Sequence, residues 1–249
     1  MMRLVKLFLS AVAFLTRLPV PPGMQGAPGV LASATAFFPL VGLLVSAGAI
    51  LLHHLLSRLV AYDVVVMIVL VYLVAVTGGL HEDALADTAD GLGGGWDKDQ
   101  VLAIMRDSRV GSFGVLAIAL ALLARFVLLS NIPPPRLDRY LVSGLVACRW
   151  TALPLAFFLP AAREEGGQGA RIAGQITAFS LVMGTLLTLA IVGVALGRKA
   201  WWVMLAASVI TGASGAYYRR RIGGVTGDCL GATNQLAEVA VYFAAVVLH

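Results

Sequence analysis

The chain has 249 residues, 59% of them hydrophobic and 12% charged, with a mean hydropathy of +0.90. Soluble proteins carry roughly 25% charged residues, so this composition excludes a soluble enzyme and belongs in a bilayer. The net charge of +5 comes from basic residues scattered singly through short loops rather than gathered in a stripe; that argues against nucleic acid and for loops facing anionic lipid or phosphorylated ligands.

A membrane crossing takes about 20 mostly apolar residues. The length therefore predicts an all-α fold, one integral membrane domain over residues 1–249, built as a polytopic helical bundle of about seven to eight transmembrane helices. Apolar runs fall at residues 4–18, 31–56, 64–80, 113–132, 140–159, 176–196, 201–217 and 236–248. Arg3 and Lys6 head the first, but Thr16-Arg17-Leu18-Pro19 follows where a secretory signal would have a small-residue cleavage site, so a membrane or interfacial helix is expected. His53 and His54, at the close of the second run, mark a helix end. Breakers stand at Pro19 to Pro22, Pro133 to Pro135, Gly166 to Gly169 and Gly223-Gly224. Cys148 and Cys229 are far apart in sequence with no CxxC or histidine partner, which indicates neither a zinc site nor a disulfide framework.

The third run leads directly into an acidic segment. Of thirteen carboxylates, seven (Glu82, Asp83, Asp87, Asp90, Asp97, Asp99 and Asp107) lie between positions 82 and 107. Asp83, Asp87 and Asp90 are spaced i, i+4 and i+7, which on a helix gathers three like charges on one face. Such a face is favourable around a divalent cation; Mg²⁺ typically takes one or two carboxylates together with substrate phosphates and water. Because the segment continues an apolar run, it is expected to start near the membrane surface, where carboxylates are costly without partners. Asp87-Thr88-Ala89-Asp90-Gly91 also opens like the CDP-alcohol phosphotransferase signature, but Leu92-Gly93-Gly94-Gly95-Trp96-Asp97 departs from it. Membership of that family is not supported. The glycine-rich stretch Gly91 to Gly95 reads as a phosphate loop or a flexible turn.

Next comes Met105-Arg106-Asp107-Ser108-Arg109-Val110-Gly111. It brings Arg106 and Arg109 within one helical turn, suited to grip phosphate and offset the charge of a leaving nucleotide. Arg125 and Arg149 lie inside apolar runs, where a contact with ligand phosphate and a structural ion pair are equally compatible with the sequence. The last polar connection places Asp228, Gly231, Gln235 and Glu238 at i, i+3, i+7 and i+10, one helical face, behind glycines that leave free amides for an anion. In an eight-helix topology this connection and the acidic one share a membrane side. An ion-coupled transporter is the rival from another class, but its acids are expected near mid-bilayer in separate helices.

Three blocks carry a resemblance: His81-Glu82-Asp83-Ala84-Leu85-Ala86-Asp87-Thr88-Ala89-Asp90-Gly91; Met105 to Gly111; and Thr226-Gly227-Asp228-Cys229-Leu230-Gly231-Ala232 with Asn234, Gln235 and Glu238. With Phe14-Leu15-Thr16-Arg17-Leu18-Pro19-Val20 they are similar, in matching order along the whole chain, to the cobalamin synthase family, also called adenosylcobinamide-GDP ribazoletransferases. Ala84 departs from an expected glycine. The resemblance implies transfer of adenosylcobinamide phosphate from adenosylcobinamide-GDP to α-ribazole or its 5′-phosphate, with release of GMP. It further implies Mg²⁺ dependence and a multi-pass enzyme of a bacterial-type inner membrane with its site facing the cytoplasm; it leaves a homo-oligomer open. On this reading Glu82, Asp83, Asp87, Asp90 and Asp228 hold metal. Glu82 or Asp83 takes the hydroxyl proton, Arg106 and Arg109 neutralise charge, and His81, Asp107, Ser108, Asn234, Gln235 and Glu238 contact substrate.

Overall fold

The computed structural model of the protein describes residues 2–24, 28–163, 172–173 and 175–248. The glycines at 166–169 and Arg171 lie outside the described residues. Twelve α-helices occur among the described residues: α1 (Met2–Leu15), α2 (Pro28–Ala34), α3 (Phe38–Leu56), α4 (Tyr62–Thr77), α5 (Leu80–Gly94), α6 (Lys98–Ile104), α7 (Ser112–Ser130), α8 (Pro134–Trp150), α9 (Ala152–Phe158), α10 (Ala178–Leu196), α11 (Ala200–Ile222) and α12 (Gly227–Val247). Strand-type pairing among these residues is limited to an isolated bridge between Ala161 and Val225.

Five helical segments are long and apolar enough to cross a membrane, or six if α4 and α5 together make one broken span. One of the five, Ala178–Ile222, has 45 residues and contains both α10 and α11. A straight helix of that length would run about 68 Å, more than twice a hydrocarbon core of about 30 Å, and it turns at Gly197, where φ is +57°. The two halves meet the same stretch of chain: Trp150 Nε1 donates to Thr185 Oγ1 at 2.9 Å, while Gly215 faces Leu155 and Leu159. α10 and α11 thus form a hairpin, and counting its arms separately together with the broken α4–α5 span gives seven, the lower end of the expected seven to eight. The first apolar run yields only the 14 residues of α1, about 21 Å of helix, which is short of a full crossing.

Burial separates lipid-facing helices from central ones. Within an 18-residue apolar stretch of each, 17% of α7 and 22% of the α10–α11 segment is buried, against 72% of α8–α9; accordingly α7 presents Val115, Leu116, Leu120 and Leu123 outward. α3, α8 and α12 form the centre. At Gly42 of α3 a side chain is impossible, because a Cβ would lie 2.2 Å from the Leu145 carbonyl oxygen of α8. Small residues allow such approach where helices share no hydrophobic drive to associate.

One feature differs from the sequence expectation and positions the site. The apolar run 64–80 does not pass straight into the acidic segment. Gly78 and Gly79 both adopt positive φ (+66° and +72°), the left-handed geometry that ends a helix, and α5 leaves α4 at 83°. Gly78 also lies against Arg17, whose amide donates to the Val76 carbonyl at 2.7 Å. The glycine-rich stretch after Asp90 is mostly the last turn of α5 rather than a phosphate loop: Gly91 packs on Met105 and Val101.

Candidate active site

α5 and α12 approach each other through Gly231. A Cβ there would lie 2.5 Å from the Ala84 Cβ and 3.8 Å from the His81 Cα. The methyl group of Ala84, which departs from the family pattern, is accommodated because the facing residue of α12 has no side chain.

Deep in this contact, Arg125 of α7 is almost wholly buried at 1% exposure. Its Nη1 donates to Glu82 Oε1 at 2.8 Å and to Gln235 Oε1 at 3.2 Å, and its Nη2 lies 3.1 Å from Glu238 Oε1. Gln235 Nε2 donates to the same Glu82 oxygen at 3.1 Å. A cation inside an apolar span needs carboxylate partners, and here two glutamates from two helices supply them. The sequence reading gave three of these residues to metal or substrate. Glu82, Gln235 and Glu238 are turned into the ion cluster and are not part of the cavity wall described below. The same contacts resolve Arg125 as a structural ion-pair partner.

Asp90, read from sequence as a metal ligand, is held by backbone amides. Its Oδ2 accepts from the Gly111 amide at 2.7 Å and its Oδ1 from the Gly114 amide at 2.8 Å. Both oxygens thereby satisfy amides that a helix start leaves unpaired, fixing the first turn of α7 to α5. Gly111 and Gly114 leave room for it, since a Cβ at either would come within 2.5 Å of a carboxylate oxygen.

Beside the contact between α5 and α12, with Ala84 and Gly231 in its wall, lies a cavity of ≈ 290 Å³. Its polar wall is His81, Asp83, Arg149, Arg163, Thr226, Asp228 and Asn234, and Phe14, Leu15 and Phe38 are among its apolar residues. Asp228 sits in the first turn of α12, where Thr226 caps the helix by accepting from the Cys229 amide at 3.2 Å. Arg163 Nη2 lies 3.9 Å from Asp228 Oδ2. Asp87, half-buried on α5, lies within the electrostatic reach of Asp83, Asp90, Asp228 and Arg163. The acidic face of α5 and the start of α12, separated by 138 or more residues of sequence, therefore converge on one region. Within the described residues no three carboxylates of these two helices close to within 4.8 Å of one another.

Two cavity residues were not singled out by sequence for the role they hold. Arg149 was left undecided beside Arg125; it is 3% exposed, donates from Nη1 to the Leu145 carbonyl at 2.9 Å, has no partner at Nε, and lines the cavity. Its position inside an apolar run was the available signal. Arg163 counted only as a loop charge, and nothing in its neighbours marks it.

Arg106, Asp107, Ser108 and Arg109 occupy the exposed connection between α6 and α7 and do not line the cavity. Arg109 grips Asp107 through Nε and Nη2, at 3.0 and 2.5 Å. Hydrogen bonds from its guanidinium and its amide hold the Asp107 carboxyl low, at about 2. Among the described residues Arg106 has no ion-pair partner.

Fold and cavity together define a multi-pass helical membrane protein in which an acidic helix and the start of a second helix face one cavity flanked by arginines. Residues 7–246 match the family model described as cobalamin-5-phosphate synthase. The chain is 36% identical to the adenosylcobinamide-GDP ribazoletransferase of Shewanella pealeana, over 98% of this chain and 96% of that protein. It is 37% identical to that of Shewanella amazonensis (99% and 96%) and 36% identical to that of Polaromonas sp. (98% and 97%). No solved structure matches. The chain belongs to the cobalamin-5-phosphate synthase family.

Proposed function

We propose that this protein joins adenosylcobinamide-GDP to α-ribazole or α-ribazole 5′-phosphate and releases GMP, as a Mg²⁺-dependent transferase. The observation that carries the reading is the placing of Asp83 and Asp228 on one cavity wall with Arg149 and Arg163. Acids gathered with arginines at one cavity suit a diphosphate ester and its metal; they do not suit a carrier with dispersed mid-membrane acids.

The donor set fits Mg²⁺. Asp83, Asp87 and Asp228 are hard oxygen ligands, as this ion requires. Their mutual repulsion is countered nearby by Arg163, so a cation relieves it. Asp83, Asp87 and Asp228 would hold the metal, with Asp90 and Glu82 supporting them from behind. When bound, Mg²⁺ would neutralise charge on the diphosphate.

The remaining work falls to this chain's own side chains. The ribose hydroxyl attacks the phosphorus on the cobinamide side; a new P–O bond forms to ribazole and the P–O bond to the GMP phosphate breaks. The hydroxyl proton goes to Asp83, because Glu82 is committed to Arg125. Arg149 and Arg163 stabilise charge on the phosphoryl oxygens, the principal demand of phosphoryl transfer. Arg106, exposed in the connection between α6 and α7, meets the nucleotide. Asn234 and His81 orient substrate from the cavity wall. The site faces the cytoplasm of a bacterial-type inner membrane, where guanine nucleotides reside.

Purified protein given adenosylcobinamide-GDP and α-ribazole is expected to release GMP with Mg²⁺ and none with excess chelator. Absence of GMP in both arms refutes the reading and favours a carrier. CMP release from a CDP-alcohol instead would favour the lipid phosphotransferase chemistry.

A further inference from the structure

A second polar cluster lies away from the cavity. His53 and His54 end α3, and Asp138 stands near the start of α8. Asp138 Oδ1 lies 2.8 Å from His53 Nδ1 and its Oδ2 lies 2.7 Å from His54 Nε2. Neighbouring residues on a helix normally point apart, yet both rings turn onto one carboxylate, with centroids 5.0 Å apart. His53 is 5% exposed, whereas the His54 side chain is 63% exposed and folds back onto Asp138 instead of extending into solvent.

We propose that His53, His54 and Asp138 form a binding site for a borderline divalent transition metal of the Zn²⁺ type. One donor atom from each residue lies within 4.8 Å of the other two, and among the described residues no other group of three such side chains does so. Two imidazoles with one carboxylate are the ligand types Zn²⁺ takes in three-ligand sites, the fourth position being left to water. Tetrahedral bonds of about 2.0–2.1 Å would set the donors about 3.3 Å apart; the two His–Asp pairs, now 2.8 and 2.7 Å, would open slightly, and the three donors already lie within 4.8 Å of one another. The C-terminal end of α3 adds the negative end of a helix dipole, which favours a cation. Mg²⁺, which prefers oxygen, is a poor competitor here.

The site is separate from the transfer cavity. Phe38 lines the cavity and His53 follows fifteen residues later on α3, about 22 Å along the axis; on α8, Asp138 precedes the cavity residue Arg149 by eleven residues, about 16 Å. A metal at this end would cross-link α3 to α8 on the membrane face opposite the cavity.

The test is elemental analysis of the protein purified without a polyhistidine tag and dialysed against excess Mg²⁺, which occupies any oxygen-only site. About one equivalent of zinc per chain is expected to remain, and cobalt substitution should give the visible absorption of a tetrahedral imidazole site. His54→Ala and Asp138→Asn should each lower retained zinc at least tenfold and abolish the cobalt spectrum, while circular dichroism shows intact helix and GMP release persists. Zinc-free wild-type protein that gives no cobalt spectrum would overturn the proposal, as would variants that keep the wild-type stoichiometry; the trio would then be only a hydrogen-bonded clamp.

Discussion

Replacing Arg125 with Met is the sharpest probe of how the site is held. The change roughly preserves length and removes the charge that Glu82 and Glu238, at 9% and 2% exposure, share between α5 and α12. Removing one partner of a buried pair leaves an uncompensated charge and costs about 3–5 kcal/mol, against a total stability of about 5–15 kcal/mol. That corresponds to roughly two to three and a half orders of magnitude in the folding equilibrium. In detergent, Arg125→Met should therefore lose its monodisperse form at markedly lower temperature than wild type. Combining it with Glu82→Gln and Glu238→Gln removes the stranded charges and should recover much of the loss, since Gln235 and the new amides can bond one another. At low temperature the triple variant should still release GMP, because none of these side chains lines the cavity. If Arg125→Met unfolds within about 1 kcal/mol of wild type, the cluster does not secure the helices. If the stable triple variant is inactive, at least one of these residues works on substrate and the division of α12 argued above fails.

Other outcomes separate support from chemistry. Asp83→Asn should lower kcat by about 10²–10⁴ with little change in KM, the loss expected of a general base; wild-type turnover would exclude it. Asp90→Ala should cost about 1–2 kcal/mol of stability through the lost α7 cap, whereas Asp87→Asn and Asp228→Asn should raise the Mg²⁺ concentration needed for turnover without lowering thermal stability, read by Mg²⁺ titration and melting of each variant. Arg149→Met should reduce kcat by about 10²–10³, the cost of one preorganised charge donor. Gly231→Ala should destabilise by about 1–3 kcal/mol through collision with Ala84, and Ala84→Gly in the same chain should restore stability; no rescue would mean that the two helices do not meet there.

Much of this arrangement was legible in the sequence. Hydropathy marked the helical bundle, and spacing on α5 and α12 marked both acidic faces. What spacing does not supply is the direction in which each face looks. Glu82 and Asp83 are consecutive, but adjacent helical residues point about 100° apart, and one joins Arg125 while the other borders the cavity. Asp87 and Asp90 shared one predicted role; the amides of Gly111 and Gly114, more than twenty residues downstream, separate them. Arg125 and Arg149 looked equivalent because each is a lone cation in an apolar run, and their difference rests on which distant helix offers carboxylates. The break at Gly78-Gly79 was hidden because an apolar run continues through it, and hydropathy does not register φ.

The same helix face of α12 accordingly serves two ends. Asp228, at the helix start, borders the cavity, whereas Glu238 lies ten residues on, about 15 Å deeper along the axis, in the cluster with Arg125. Between them Gly231 lets α5 close against α12, so the two levels are coupled by one rigid contact rather than by a loop. At the deep level opposite charges are paired and hold the helices together in the absence of ligand. At the cavity level carboxylates stand near one another, with Arg163 closest to offset them. The repulsion left at the mouth is tolerable because the deep level fixes the helices, and under the proposed function it would favour a cation and a diphosphate there. A chain with the cavity carboxylates but without the Arg125 cluster would relieve the repulsion by parting α5 from α12, and the donors would no longer face a common ligand.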